Sequence, residues 1–153
     1  MPSIRLTTAI PAAIEDCFAL SLSVDAHTAS MQGSGERIVA GVRSGQMGLD
    51  DTVTWAARHV GVRFTMTSRI SEYAAPHRFV DEQVSGPFRA WWHEHRFDGD
   101  EQTTLMTDLV EFEAPLGMLG RAVSAVFLTR YMTGLLEKRN RWLVEALTSA
   151  HSA

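Results

Sequence analysis

Between Gly33 and Glu113 the chain breaks into six strand-length runs separated only by short turns. The runs are 35–42, 51–60, 62–73, 78–85, 88–98 and 102–113, all rich in Val, Ile, Thr, Phe and Trp. Gly45 and Gly48, Gly61, Ala75-Pro76, Gly86-Pro87 and Gly99 punctuate them. Breaks this short leave no room for crossover helices, so consecutive strands pair antiparallel. Ile4, Leu6 and Thr8 alternate with Arg5 and Thr7 up to Pro11, which adds a seventh strand at the N-terminus.

Helical spacing appears on both sides of this block. Ile14, Cys17 and Phe18 mark a helix at about 12–20, with Pro11 suited to its first turn. A second, shorter helix is expected at 23–31, with Ser23 as its cap and Asp25 at the positive end of its dipole. After Pro115, Leu119, Val123, Val126/Phe127, Tyr131, Leu135, Trp142 and Ala146 recur at helical spacing, with no proline from 116 to 149. A helix of about 30 residues spans roughly 45 Å, and only the sheet is broad enough to cover its apolar side. Gly134 within it either permits close approach or a bend, or is simply tolerated. Arg130, Lys138, Arg139 and Arg141 read as its solvated side. The order implies one α+β domain over 1–153: a curved antiparallel sheet of about seven strands against a long C-terminal helix, with two short helices after strand 1.

The chain has 153 residues with a hydrophobic fraction of 45% and a charged fraction of 21%, enough to bury one core without staples. A net charge of -4 argues against a nucleic-acid partner. The lone Cys17 excludes a Cys-rich zinc site and an internal disulfide. No signal peptide or membrane-spanning run is read, so a cytoplasmic protein with no membrane insertion is expected; homodimerisation is left open. No Gly-rich phosphate loop, Gly-x-Ser-x-Gly elbow or Cys/His nucleophile pattern occurs.

Chemistry concentrates between Asp81 and Glu113. Alternation places His93 and His95 on one face with Trp91 and Phe97, and with Met106, Asp108, Val110 and Phe112 of the next strand. Facing residues that sum to about 201 would set His93 opposite Asp108 and His95 opposite Met106. Asp81, alongside Phe79 and Gln83, is the neighbouring strand's contribution, and His59 belongs to the Val53, Trp55, Ala57 set. Polar groups on an apolar face need partners. Three readings stay open: Asp–His pairs satisfied within the core, the lining of a ligand cavity, or a general acid–base pair, with His93 or His95 steered by Asp108 or Asp81. His-x-His also suits a zinc-like or iron-like set, with His59 or an Asp as a third ligand; no metal or cofactor is assigned.

The runs Trp55-Ala56-Ala57-Arg58-His59-Val60-Gly61, Phe79-Val80-Asp81, Gly86-Pro87-Phe88 and His93-Glu94-His95-Arg96-Phe97, then Asp108 and Pro115-Leu116-Gly117, resemble a bacterial cyclase/dehydrase-like branch of the START/polyketide-cyclase (SRPBCC) superfamily. The resemblance implies a helix-grip fold with a cavity between the sheet and the last helix. The expected function is binding of a small hydrophobic or aromatic molecule (lipid, polyketide or similar metabolite). Trp55, Trp91, Phe97, Met106, Phe112 and Tyr131 would supply apolar contact, and His59, Asp81, His93, His95 and Asp108 would orient a polar end. The alternative is a cyclase or dehydratase that uses His93, His95 and Asp108 in the same cavity. The chain lacks the Cys/His motif of a Rieske cluster, which sets aside a ring-hydroxylase large-subunit role.

Overall fold

The computed structural model describes residues 1–59, 61–114 and 122–151. Strand β1 is Ser3–Ile10; helices α1 (Ile14–Ser21) and α2 (Val24–Ser30) follow, and a short 3-10 turn spans Gln32–Ser34. Strands β2 (Arg37–Gly41), β3 (Thr52–His59), β4 (Val62–Ala74), β5 (Arg78–Ser85), β6 (Ala90–Gly99) and β7 (Thr104–Glu113) precede the long helix α3 (Ala122–His151). Val60 and the Pro115-Leu116-Gly117 and Leu119 positions lie outside the described residues, as does the side chain of Val123.

All seven strands form one antiparallel sheet in the order β1-β7-β6-β5-β4-β3-β2. The first strand returns to pair with the last, which leaves β1 and β2 as the two edges. Register shifts between Thr67 and Ser68 and between Ile70 and Glu72 interrupt the β4–β5 ladder. An extra residue in one strand bends it and increases local twist, and two such points curve the sheet around α3.

Local chemistry explains most boundaries. The Ser23 side chain accepts from the Ala26 amide and caps α2. Pro11 precedes the first helix rather than starting it: Ala13 is the N-cap, because Ala12 is already held in a turn by a hydrogen bond to Ile10. The apolar stripe of α3 is offset from the one expected. Among the described residues of α3, Leu136, Leu143 and Leu147 are the buried apolar positions, whereas Val126 and Phe127 are at least half exposed. Gly134 is exposed, and a Cβ there would meet nothing within 4 Å, so close approach is not its role.

The β6–β7 hairpin differs from its expected register. Facing residues sum to 203: His95 sits opposite Asp108, Phe97 opposite Met106 and His93 opposite Val110. The cause is Asp100, whose Oδ1 accepts from the amides of Gln102 and Thr103 and so moves the turn apex to 101–102. A displacement by two residues preserves alternation, so every side chain keeps its expected face. The turn leaves no space beside Gly99: a Cβ would lie 2.3 Å from the Thr103 carbonyl oxygen and 2.7 Å from the Thr104 Cα. Gly99→Val is therefore expected to destabilise the protein by about 1–3 kcal/mol, measured by urea unfolding. An unchanged midpoint would show that the hairpin ends elsewhere.

Candidate functional site

The concave face of β6 carries Trp91, His93, His95 and Phe97, all buried, and β7 sets Met106, Asp108, Val110 and Phe112 beside them. Apolar residues close both ends of this row, which traps two imidazoles and a carboxylate at its centre. The α3 helix supplies what they need. Arg139 Nη2 donates to Asp108 Oδ1 at 2.8 Å, and Asn140 Nδ2 donates to Oδ2 at 2.8 Å. Asn140 also bonds Thr8 Oγ1 and accepts from Arg139, which ties β1 to the same network.

Two carboxylates hold the imidazole pair from opposite sides. Asp108 lies behind the rings, with its Oδ1 2.8 Å from His93 Nε2 and 3.4 Å from His95 Nδ1. Asp81 lies in front, with its Oδ2 2.8 Å from His95 Nε2 and 3.6 Å from His93 Nδ1. The rings stack with centroids 3.7 Å apart, and Phe79 stacks on the far side of His95 at 4.0 Å. A carboxylate only accepts, so the imidazole is the donor in each short contact: His93 donates Nε2–H to Asp108, and His95 donates Nε2–H to Asp81.

Burial disfavours the ionised form of Asp108, but the Arg139 guanidinium, the His93 hydrogen bond and the imidazole charges hold it well below the usual carboxylate range. Asp81 follows the same pattern: burial pushes it up, and the two histidines and Arg139 bring it below its ordinary value. His95 is pushed down to about 4, by burial first and by the neighbouring His93 charge second, against the Asp81 hydrogen bond. It is neutral at neutral pH.

Between the sheet and α3 lies a cavity of about 510 Å³. Asp81, His93, His95 and Arg139 face it from one region. A second polar group lines it elsewhere: His27, Glu36, His59 and Tyr131. His59 Nδ1 is 2.8 Å from the Tyr131 hydroxyl, and His27 Nε2 is 2.7 Å from Glu36 Oε2 without hydrogen-bond geometry. Tyr131 precedes Arg139 by two turns of α3, about 12 Å. Burial lowers the pKa of His59, partly offset by Glu36, and raises that of Tyr131. Trp55, Met66, Phe88, Trp91 and Met132 form much of the remaining wall.

No protein-family model matches the sequence, and no curated protein sequence matches it. Solved structures do. One from Thermus thermophilus superposes with a TM-score of 0.79 at 17% identity, over 97% of this chain and 99% of that one. A START superfamily protein from Mycobacterium smegmatis gives 0.72 at 13% identity, over 97% and 98%. Norcoclaurine synthase from Thalictrum flavum, solved with dopamine and hydroxybenzaldehyde, gives 0.69 at 8% identity, over 97% and 87%. The fold is the START-like helix grip. At these identities the likeness speaks for the fold alone.

Within this helix grip the expected site residues separate into three groups. Asp81, His93 and His95 meet at the cavity with Asp108 directly behind them. Trp55, Trp91, His59 and Tyr131 also line it, but His59 joins Tyr131 and Glu36 rather than the Asp–His cluster. That separation follows from topology, since β4 and β5 lie between β3 and β6. Phe97, Met106, Asp108 and Phe112 do not reach the lining. The α1 helix covers the first two: Phe18 packs edge-on against Phe97, and Ser21 Oγ lies 3.7 Å from Met106 Sδ. Phe112 is sealed beneath Phe88 and Trp91.

The sequence reading missed Arg139 and Asn140, and assigning Arg139 to the solvated face of α3 was incorrect. Arg139 is buried because Asp108, fully enclosed on β7, draws its guanidinium inward. A visible signal existed: residues 136, 139/140, 143 and 147 continue one helical stripe, and a polar pair interrupts its leucines. Glu36 had no comparable signature.

Proposed function

We propose that the protein binds one small, mainly apolar or aromatic molecule in the cavity between the sheet and α3. The observation behind this reading is the cavity itself: about 510 Å³, walled by aromatic and Met side chains, with a few convergent polar groups. Ligand sites have this size and composition, where apolar area supplies affinity and the polar groups orient the molecule. The two polar groups suit a ligand with one polar end at Asp81, His93 and His95 and a second hydrogen-bonding position near Glu36, His59 and Tyr131. The free, buried Cys17 suits a reducing, cytoplasmic setting.

The test is a titration with the apolar fluorophore 1-anilinonaphthalene-8-sulfonate under native conditions. Emission is expected to rise and saturate at one molecule per chain, and to fall when a medium-chain fatty acid or aromatic acid competes. A flat titration contradicts the reading.

Catalysis is a second reading with one specific observation behind it. His93 gives its Nε2–H to Asp108, so in the neutral ring Nδ1 is left as the basic nitrogen, 3.6 Å from Asp81 on a side chain that lines the cavity. A carboxylate-oriented imidazole of this kind serves as a general base in proton transfer, including cyclisation and dehydration.

A further inference from the structure

The Asp81–His93–His95 arrangement leaves two defects that a cation would remove. His95 Nδ1 is buried without a hydrogen-bond partner, and its lone pair faces the Asp108 carboxylate at 3.4 Å. His93 Nδ1 lies 3.6 Å from the Asp81 carboxylate, beyond hydrogen-bond distance. Asp81 itself meets only imidazoles: among the described residues no Lys or Arg lies within ion-pairing distance of it. Buried polar groups left facing like partners are costly, and such a defect needs an explanation.

We propose that Asp81, His93 and His95 bind one divalent transition-metal ion of the zinc, cobalt or ferrous class, through Asp81 Oδ2, His93 Nδ1 and His95 Nε2. One ligand atom from each of the three residues already lies within 4.8 Å of the others, and Asp81 Oδ2 is 2.8 Å from His95 Nε2 and 3.6 Å from His93 Nδ1. Two imidazole nitrogens and one carboxylate oxygen match ions of intermediate softness rather than magnesium or calcium. Binding requires one rearrangement. The His95 proton moves from Nε2 to Nδ1, where it donates to Asp108, and the freed Nε2 lone pair goes to the metal. From the neutral rings no proton is lost: the orphaned His95 nitrogen gains a partner, and His93 Nδ1 gains the metal.

Asp108 then accepts from the rear nitrogens of both ligand histidines. Carboxylates in that position fix ring orientation and ligand basicity at metal sites. Arg139 and Asn140 hold Asp108 in turn. The ion's remaining positions face the cavity, since all three ligands line it. A metal-bound His93 Nδ1 cannot act as a base, so metal binding and the general-base reading exclude each other. The proposal does not depend on the apolar-ligand reading.

The test uses the full chain, stripped with a chelator and titrated with Co²⁺ while its visible absorption is followed. Saturation at one equivalent is expected, with the intense bands of a low-coordinate, imidazole-bound ion and displacement by Zn²⁺. Asp108→Asn, which removes the support behind both rings, is expected to weaken Co²⁺ binding about 10–100-fold. Asp81→Asn should weaken it at least as much, whereas His77→Ala, at an exposed position that does not line the cavity, leaves the titration unchanged. Circular dichroism and the anilinonaphthalene titration of the same samples show that fold and cavity persist. The proposal is overturned if wild type shows only the pale spectrum of the hydrated ion, or if the bands survive Asp81→Asn.

Discussion

Arg139→Met is expected to cost about 3–5 kcal/mol of stability, the usual result of stranding one member of a buried ion pair. In a chain of this length that corresponds to a fall in Tm of roughly 10 °C. Asp108 has no exposure to solvent, and Arg139 is the guanidinium that bonds it. Met fills most of the volume but leaves the carboxylate with Asn140 and one imidazole. Combining Arg139→Met with Asp108→Asn removes the stranded charge and keeps an acceptor for His93. The double variant is expected to recover at least half of the loss in urea unfolding. Equal destabilisation in single and double variants would mean that packing, not charge, keeps Arg139 inside.

The second large effect concerns the cavity. Ala57 lines it from the middle of β3, between Trp55 and His59 on the same face. Ala57→Trp projects an indole into that space, and the apparent affinity for anilinonaphthalene sulfonate is expected to fall tenfold or more, about 1.4 kcal/mol. Ala57 is only partly buried and the space beside it is open, so the unfolding midpoint should change little. Undiminished probe binding would place the probe elsewhere on the protein.

These two residues mark the boundary of what the sequence made legible. Alternation in β3, β6 and β7 determines faces, because a strand's side chains repeat every two residues whatever lies beyond it. His93, His95 and Asp108 were therefore readable as neighbours even though the register was displaced by two. Register depends on one turn, and the Asp100 side chain sets it through bonds that no periodicity encodes. Depth was not readable either. Phe97 and Met106 have the same pattern as Trp91, yet α1 closes over them while the space above Trp91 stays open.

Arg139 shows the opposite failure. A charged residue on a helix is solvated by default, and only a carboxylate waiting on a distant strand reverses that expectation. The partner lies 31 residues earlier, which no local window spans. His59 was placed on the correct face but in the wrong company, since the sheet order puts two strands between it and the Asp–His cluster. Its actual partners, Tyr131 and Glu36, come from α3 and from the segment before β2.

Native mass spectrometry of the protein purified from the organism that encodes it tests the central claim most directly. Gentle desorption should preserve one added mass per chain from a small apolar or aromatic molecule, and Ala57→Trp prepared in the same way should lack it. Wild-type protein that flies only at its bare chain mass, and that also ignores the fluorophore, would contradict a ligand-holding cavity.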